Sequence, residues 1–159
     1  MAQRICLFPG TFDPITKGHT DIIDRALGLF DSLIIGIGIN SSKQPMFSIE
    51  QRIEWIERIY KNEPKIKVIA YDGLTIDCCK NNNAQFILRG IRYINDFEYE
   101  KAIADMNRML APEVETVFLT CTPLYSTISS TLVRDVIRNN GNVHQFIPEA
   151  IVQDFKTSS

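Results

Sequence analysis

Long apolar runs are missing from this chain. The longest unbroken one, Leu33–Ile39, has seven residues, two of them glycine, against the ~20 that a membrane-crossing helix needs. The first residues hold one arginine and a few apolar side chains before Pro9-Gly10, which does not make a signal-peptide core. The protein is therefore expected to avoid membranes and to stay in the cytoplasm. A cationic surplus is missing too: 17 Lys and Arg stand against 19 Asp and Glu, a net charge of −2. A nucleic-acid partner, which asks for a basic face to neutralise phosphates, is not expected. A small phosphorylated ligand, needing only a few placed cations, stays open. Cysteine is sparse, four residues at 6, 78, 79 and 121 without C-x-x-C spacing, so neither a disulfide framework nor a zinc site is indicated. All four are read as reduced and mostly buried. No repeat, low-complexity stretch or linker interrupts the 159 residues, and 45% of them are apolar. A packed core is thus within reach, and one domain over 1–159 is expected, with Thr157–Ser159 a frayed end.

What the chain does have is alternation of short β-rich runs with helical patterns. Ile5–Phe8, Leu33–Ile39, Ile66–Ala70, Phe86–Leu88 and Thr116–Thr120 are compact, continuously apolar and often β-branched, as strands buried on both faces of a parallel sheet should be. Ile22, Ile23, Ala26, Leu27 and Phe30 make one helical stripe, and Ser48-x-x-Gln51 reads as a capping box ahead of Ile49, Ile53 and Ile56. Tyr99, Ala102, Ile103, Met106 and Leu110 mark a further helix stopped before Pro112, and Ser129 opens another that runs to about Arg138, with Gly141 just past its end. A last helix starts near Pro148. The pattern predicts an α/β fold: a doubly wound, parallel, five-stranded sheet with helices on both faces. Ligands of such sheets sit beyond the carboxyl ends of the strands, so chemistry is sought just after each strand.

Four of those places carry phosphate-friendly groups. After the first strand, Pro9-Gly10-Thr11-Phe12-Asp13-Pro14-Ile15-Thr16-Lys17-Gly18-His19 makes a tight loop into a helix start, whose free N–H groups favour an anion. A turn with a surface histidine is the plainer account. After the second, a polar loop holds Lys43; Gly36-x-Gly38 before it lacks the third glycine of a dinucleotide fingerprint and is read as room for helix packing. After the fourth, Arg89-Gly90-Ile91-Arg92 sets arginines beside a buried strand, a costly placement without an anionic partner, whether a ligand or an internal Glu98 or Glu100. After the fifth, Tyr125-Ser126-Thr127-Ile128-Ser129-Ser130-Thr131 gives a hydroxyl-rich helix start, which as a lone motif is ordinary capping. Little carboxylate is expected at this edge apart from Asp13 and Glu100. There is no Ser-His-Asp order, no reactive-cysteine context and no Walker lysine. Taken together, the four places suggest a polyphosphate and a second phosphorylated molecule.

The same residues bring a family into view. Thr16-Lys17-Gly18-His19 and Ile128-Ser129-Ser130-Thr131-Leu132-Val133-Arg134, together with Pro9–Pro14, Ser42-Lys43-Gln44-Pro45, Arg89–Arg92 and Asp96-Phe97-Glu98-Tyr99-Glu100, match in order and spacing. Over essentially its whole length the chain resembles the bacterial phosphopantetheine adenylyltransferases, a branch of the nucleotidyltransferase superfamily marked by H/T-x-G-H and I-S-S-T/S-x-x-R. Thr16 stands at the first motif position, as is usual in this branch. Gln44 stands where some relatives carry a second lysine, so that position holds no essential charge. The resemblance implies a Rossmann-like domain that moves the adenylyl group of ATP onto 4′-phosphopantetheine, giving dephospho-coenzyme A and pyrophosphate. It implies that Thr11, Lys43, Leu74, Thr75 and Arg89 meet phosphopantetheine. It gives Gly10, Thr11, His19, Gly90, Ile91, Arg92, Glu100, Tyr125, Ser126, Thr127, Ile128, Ser129, Ser130 and Thr131 to ATP. It also implies Mg²⁺, a homo-oligomer of hexameric form, and restraint by coenzyme A in the same cleft.

Chemistry sharpens that expectation. The attacking group is a phosphate monoester with a second pKa of about 6, so it arrives charged and needs no base. The roles left are placement and charge stabilisation: His19 donating to the α-phosphate, Thr11 and Lys43 orienting the incoming phosphate, and Arg92 with the Ser129-Ser130 helix start holding pyrophosphate. Mg²⁺ would travel with ATP. The alternatives are a cytidylyltransferase of the same superfamily and a non-catalytic nucleotide sensor.

Overall fold

The computed structural model describes residues 2–40 and 42–155; Ser41 and the Thr157–Ser159 end lie outside them. Strands β1 (Ile5–Gly10), β2 (Ser32–Ile39), β3 (Ile66–Asp72), β4 (Phe86–Ile91) and β5 (Glu115–Thr120) form one sheet in the order β3-β2-β1-β4-β5. Every pairing is parallel. The chain winds outward from β1 to β3, then returns to the other side of β1, and that reversal opens a crevice at the carboxyl edge. The helices are α1 (Lys17–Ala26), α2 (Ile49–Ile59), α3 (Thr75–Asn81), α4 (Ile94–Leu110) and α5 (Ser130–Arg138), with 3-10 turns at Pro123–Tyr125 and Glu149–Phe155. No helix among the described residues is long and apolar enough to cross a membrane.

Successive strand residues point to opposite faces, and two cores follow from that alternation. Cys6 and Phe8 of β1, Leu33, Ile35 and Ile37 of β2 and Leu88 of β4 join Ile22, Ile23 and Ala26 of α1, Trp55 and Ile56 of α2, Val133 of α5 and Ile151 of the final turn. Leu7, Ile34 and Ile87, one residue out of step, meet Ile76, Cys78 and Cys79 of α3 with Ala84, Ala111 and Val114. All four cysteines are free, Cys6, Cys78 and Cys79 buried and Cys121 half-buried. Helix α4 lies over β4 and β5 with Phe97 edge-on to Phe118, ring centres 5.6 Å apart.

Several local expectations are revised. β1, β3 and β4 run two or three residues further than their apolar runs, taking in Pro9-Gly10, Tyr71-Asp72 and Arg89-Gly90-Ile91, because parallel partners such as Gly36 and Leu119 carry the ladder past the last apolar side chain. α3 has no apolar stripe long enough to announce it and no side-chain cap. Only half of the α2 capping box forms, with Ser48 Oγ accepting from the Gln51 N–H at 3.2 Å. The left-handed residue after α5 is Asn140 (φ 56°), not Gly141; Gly141 is needed because a Cβ there would lie 2.6 Å from Val136. The last helix is a 3-10 turn. Gly36 makes room for the Leu7 and Tyr71 side chains, which a Cβ would approach to 2.8 and 3.1 Å, rather than for a helix. The apolar stripe of α4 stays open, with Ile94, Met106 and Met109 more than 60% exposed (78%, 65% and 84%).

Candidate active site

The site starts from the turn that β1 makes into α1. Phe12 takes a positive φ of 48°, uncommon for a large side chain, and its buried ring folds back over Gly10, where a Cβ would sit 2.9 Å away. The ring then meets His19, 4.9 Å between centres. Thr16 caps α1, accepting the His19 N–H on its hydroxyl at 3.4 Å. In return the Thr16 N–H donates to His19 Nδ1 at 3.0 Å, and the Thr16 hydroxyl lies 3.1 Å from the same nitrogen. A ring nitrogen that accepts carries no proton, so the neutral imidazole is assigned its hydrogen on Nε2. Burial, followed by the charges of Arg92 and Arg89, lowers the His19 pKa to about 4. At neutral pH the ring is an uncharged Nε2–H donor.

The loop between β2 and α2 forms the next wall. Lys43 is exposed and faces the same cleft as His19, with its N–H on the Asn40 carbonyl at 3.1 Å. Asp13, 3% exposed, accepts the Met46 and Phe47 N–H groups at 2.8 and 2.9 Å. Arg52, 2% exposed, reaches from α2 to the Thr11 carbonyl at 2.8 Å and the Ser48 carbonyl at 3.2 Å.

β4 and α4 form the facing wall. Arg89 makes a bidentate pair with Glu100, at 2.7 and 2.6 Å, and donates to the Pro9 carbonyl at 2.8 Å, so the internal partner considered from sequence is realised. Arg92 lies 3.5 Å from Asp96, whose carboxylate also takes the Arg92 and Tyr93 N–H groups. At the β5–α5 turn, Ser129 Oγ caps by accepting from Leu132 N–H at 3.2 Å, while Ser130 Oγ donates to the Pro14 carbonyl at 2.8 Å. The first-turn N–H groups of α5 lie outside the helix's own ladder, and Arg134 ties this turn back to the Asp13 carbonyl at 2.8 Å.

These walls enclose one cleft of about 1580 Å³ over the carboxyl edge of β1. Of the residues singled out from sequence, Gly10, Thr11, His19, Lys43, Thr75, Arg89, Gly90, Arg92, Glu100, Ile128, Ser129, Ser130 and Thr131 line it. Ile91, Leu74, Tyr125, Ser126 and Thr127 are outside its lining; Ile91 is buried in the sheet and Leu74 is 57% exposed before α3. The cations Lys43, Arg52, Arg89, Arg92, Arg134 and Arg138 outnumber the carboxylates Asp13, Asp72, Asp96 and Glu100. Asp72 and Asp96 thus add to the expected Asp13 and Glu100, yet all four are engaged: Asp72 takes the Gly73 N–H at 2.8 Å, and the others hold the partners above. Among the described residues no three His, Cys, Asp or Glu converge as a metal cage. Arg52 and Arg138 were not foreseen. A signal for Arg52 was present, since position 52 falls on the same helical face as Ile49, Ile53 and Ile56.

Both the sequence and the fold have known counterparts. The sequence model of the cytidylyltransferase-like family matches residues 7–136. A phosphopantetheine adenylyltransferase of Flavobacterium psychrophilum is 53% identical over 149 residues, 94% of this chain and 98% of the relative. The one from Bacteroides thetaiotaomicron is 51% identical with the same coverage. Among solved structures, a bifunctional NMN adenylyltransferase/ADP ribose pyrophosphatase from Francisella tularensis superposes with a TM-score of 0.71 at 20% identity, over 92% of this chain and 45% of that one. A putative nicotinate-nucleotide adenylyltransferase from Vibrio parahaemolyticus gives 0.66 at 16% identity, over 97% and 99%. These two distant likenesses bear on the fold alone.

Proposed function

The chain belongs to the phosphopantetheine adenylyltransferase family, and from that membership we propose that it transfers the adenylyl group of ATP to 4′-phosphopantetheine, releasing dephospho-coenzyme A and pyrophosphate. The observation that carries the reading is the convergence of His19, Lys43, Arg89, Arg92 and the α5 start on one cleft, in which every lining carboxylate already has a partner.

The phosphate of phosphopantetheine, a dianion near neutral pH, attacks the α-phosphorus in line, and no covalent enzyme intermediate forms. His19 is unsuited to take a proton, since Nδ1 accepts from Thr16 and Nε2 is already protonated. It is suited to donate from Nε2 to an α-phosphate oxygen, a donor fixed in place before charge develops. Thr11 and Lys43 orient the incoming phosphate, Arg89 and Thr75 add to its site with Leu74 at the margin, and Arg92 with the Ser129–Thr131 start of α5 receives pyrophosphate. Gly10, Gly90, Ile91, Glu100 and the Tyr125–Ile128 segment complete the ATP side by family match. Mg²⁺ bound with ATP would neutralise the nucleotide's phosphates. With Asp13, Asp96 and Glu100 committed within the chain, the phosphates of ATP rather than a carboxylate cage would hold it.

We further infer one nucleotidyltransferase domain over 1–159, a cytoplasmic setting, a hexameric homo-oligomer and inhibition by coenzyme A in the substrate cleft. The open apolar stripe of α4, with Ile94, Tyr99, Met106 and Met109 exposed, supports self-assembly. The test is pyrophosphate release with ATP or CTP, with and without phosphopantetheine. Release that requires both ATP and phosphopantetheine is expected. A preference for CTP would make it a cytidylyltransferase, and no release with any pair would make it a sensor.

A further inference from the structure

We propose that Asp13 is a positioning residue: its carboxylate holds the lysine-bearing loop against the β1 turn, so that Lys43 meets the incoming phosphate beside Thr11 and His19. The proposal rests on the adenylyltransferase reading.

A carboxylate 3% exposed is costly unless its oxygens are hydrogen-bonded. Here each oxygen takes one backbone donor, Met46 N–H on Oδ2 at 2.8 Å and Phe47 N–H on Oδ1 at 2.9 Å, and Arg134 lies 3.9 Å from Oδ2. Helix α2 gains no cap from this, because Ser48 caps it through Gln51. What the carboxylate fixes is the chain just after Lys43. At its other end the loop is pinned by Asn40, whose side chain accepts the Ser42 N–H at 2.9 Å and whose carbonyl accepts the Lys43 N–H at 3.1 Å. Lys43 thus sits on a short span tied at both sides.

The β1 turn that Asp13 belongs to is itself anchored from two helices. Arg52 of α2 holds the Thr11 carbonyl at 2.8 Å. Arg134 and Ser130 of α5 hold the Asp13 and Pro14 carbonyls, each at 2.8 Å. Asp13 is therefore the side chain that ties the chain just after Lys43 to the β1 turn, beside the Arg52 tie between Ser48 and Thr11, and it acts through Lys43.

The test is a double-mutant cycle on the full chain with Asp13→Asn, Lys43→Ala and both together, reading pyrophosphate release as phosphopantetheine is varied at saturating ATP. Asp13→Asn keeps the shape but sets an NH₂ against one backbone donor. It is expected to raise the phosphopantetheine KM about ten-fold, to leave the ATP Kd from calorimetry within about two-fold, and to cost less than about two-fold when Lys43 is already alanine. Losses that multiply in the double variant, or an ATP Kd that rises as much as the KM, overturn the proposal. Asp13→Glu, which keeps the charge and moves the acceptor, serves for the same cycle should Asp13→Asn fail to fold. Hydrogen exchange on the unaltered protein checks the clamp itself: Met46 and Phe47 amides should exchange at least about ten-fold more slowly than Gln44, and equal rates overturn it. A wild-type chain that releases no pyrophosphate sinks the functional reading instead, and leaves the exchange result standing.

Discussion

The two walls of the cleft use positive charge differently. On the β4–α4 wall, Arg89 is locked to Glu100 at 2.6 Å and Arg92 stands 3.5 Å from Asp96, so each guanidinium comes with its own counter-charge. On the β1–β2 wall no ion pair among the described residues involves Lys43, and His19 is neutral. A paired arginine supplies directed N–H donors at fixed angles but little net field, while an unpaired ammonium supplies field with little geometry. Bringing two anionic reactants together calls for both, and the fold keeps them on separate elements.

That contrast can be broken at either wall. The largest effect is expected from His19→Ala, which removes a preorganised donor: kcat should fall about 10²–10³-fold with the ATP Kd nearly unchanged. A fall in ATP affinity as large as the fall in kcat would show that the ring only anchors ground-state nucleotide. Lys43→Ala removes the unpaired charge and should raise the phosphopantetheine KM about 10–100-fold, an effect that shrinks in high salt. If ATP binding collapses instead, Lys43 belongs to the nucleotide. Glu100→Gln frees Arg89 from its counter-charge and makes the two walls alike. Tighter phosphate binding, a few-fold in Kd, is expected together with poorer placement seen as a few-fold lower kcat; unchanged values would mean that the pair plays no part in the site.

The smallest effect should come from pH. The ordinary histidine pKa of 6.5 is lowered to about 4 in the folded chain, so the His19 imidazole signals in NMR should stay those of the neutral ring from pH 8 to about 5. An inflection near pH 6.5 would show a solvated, chargeable ring. The unfolded chain takes up this proton first. The group's contribution to stability is therefore intact above about pH 6.5 and is lost as the pH falls toward 4.

Sheet and winding were legible because buried parallel strands leave continuous β-branched runs, and each of the five runs marks a strand. Strand ends were not, since Pro9-Gly10 and Arg89-Gly90 read locally as loop, and only the neighbouring strands Gly36–Ile37 and Phe118–Leu119 reveal that they still pair. The short α3 escaped because two cysteines on it pack as small apolar side chains. In the site, motif spacing brought His19, Lys43 and Arg92 to one edge and offered Glu98 and Glu100 alike as partners for Arg89; that Glu100 closes the pair, and that Asp13 ends on two backbone amides of a separate loop, only the fold decides.

Position 10 carries a consequence of its own. The edge of the Phe12 ring comes within 2.9 Å of where a methyl group on residue 10 would be, and the same ring meets His19, 4.9 Å between centres. Strand, phenyl and imidazole touch in sequence, the last two at a tilt of 59°, and the position of the last is gauged by the thinnest. A single hydrogen atom on β1 thereby sets the altitude of the imidazole above the sheet.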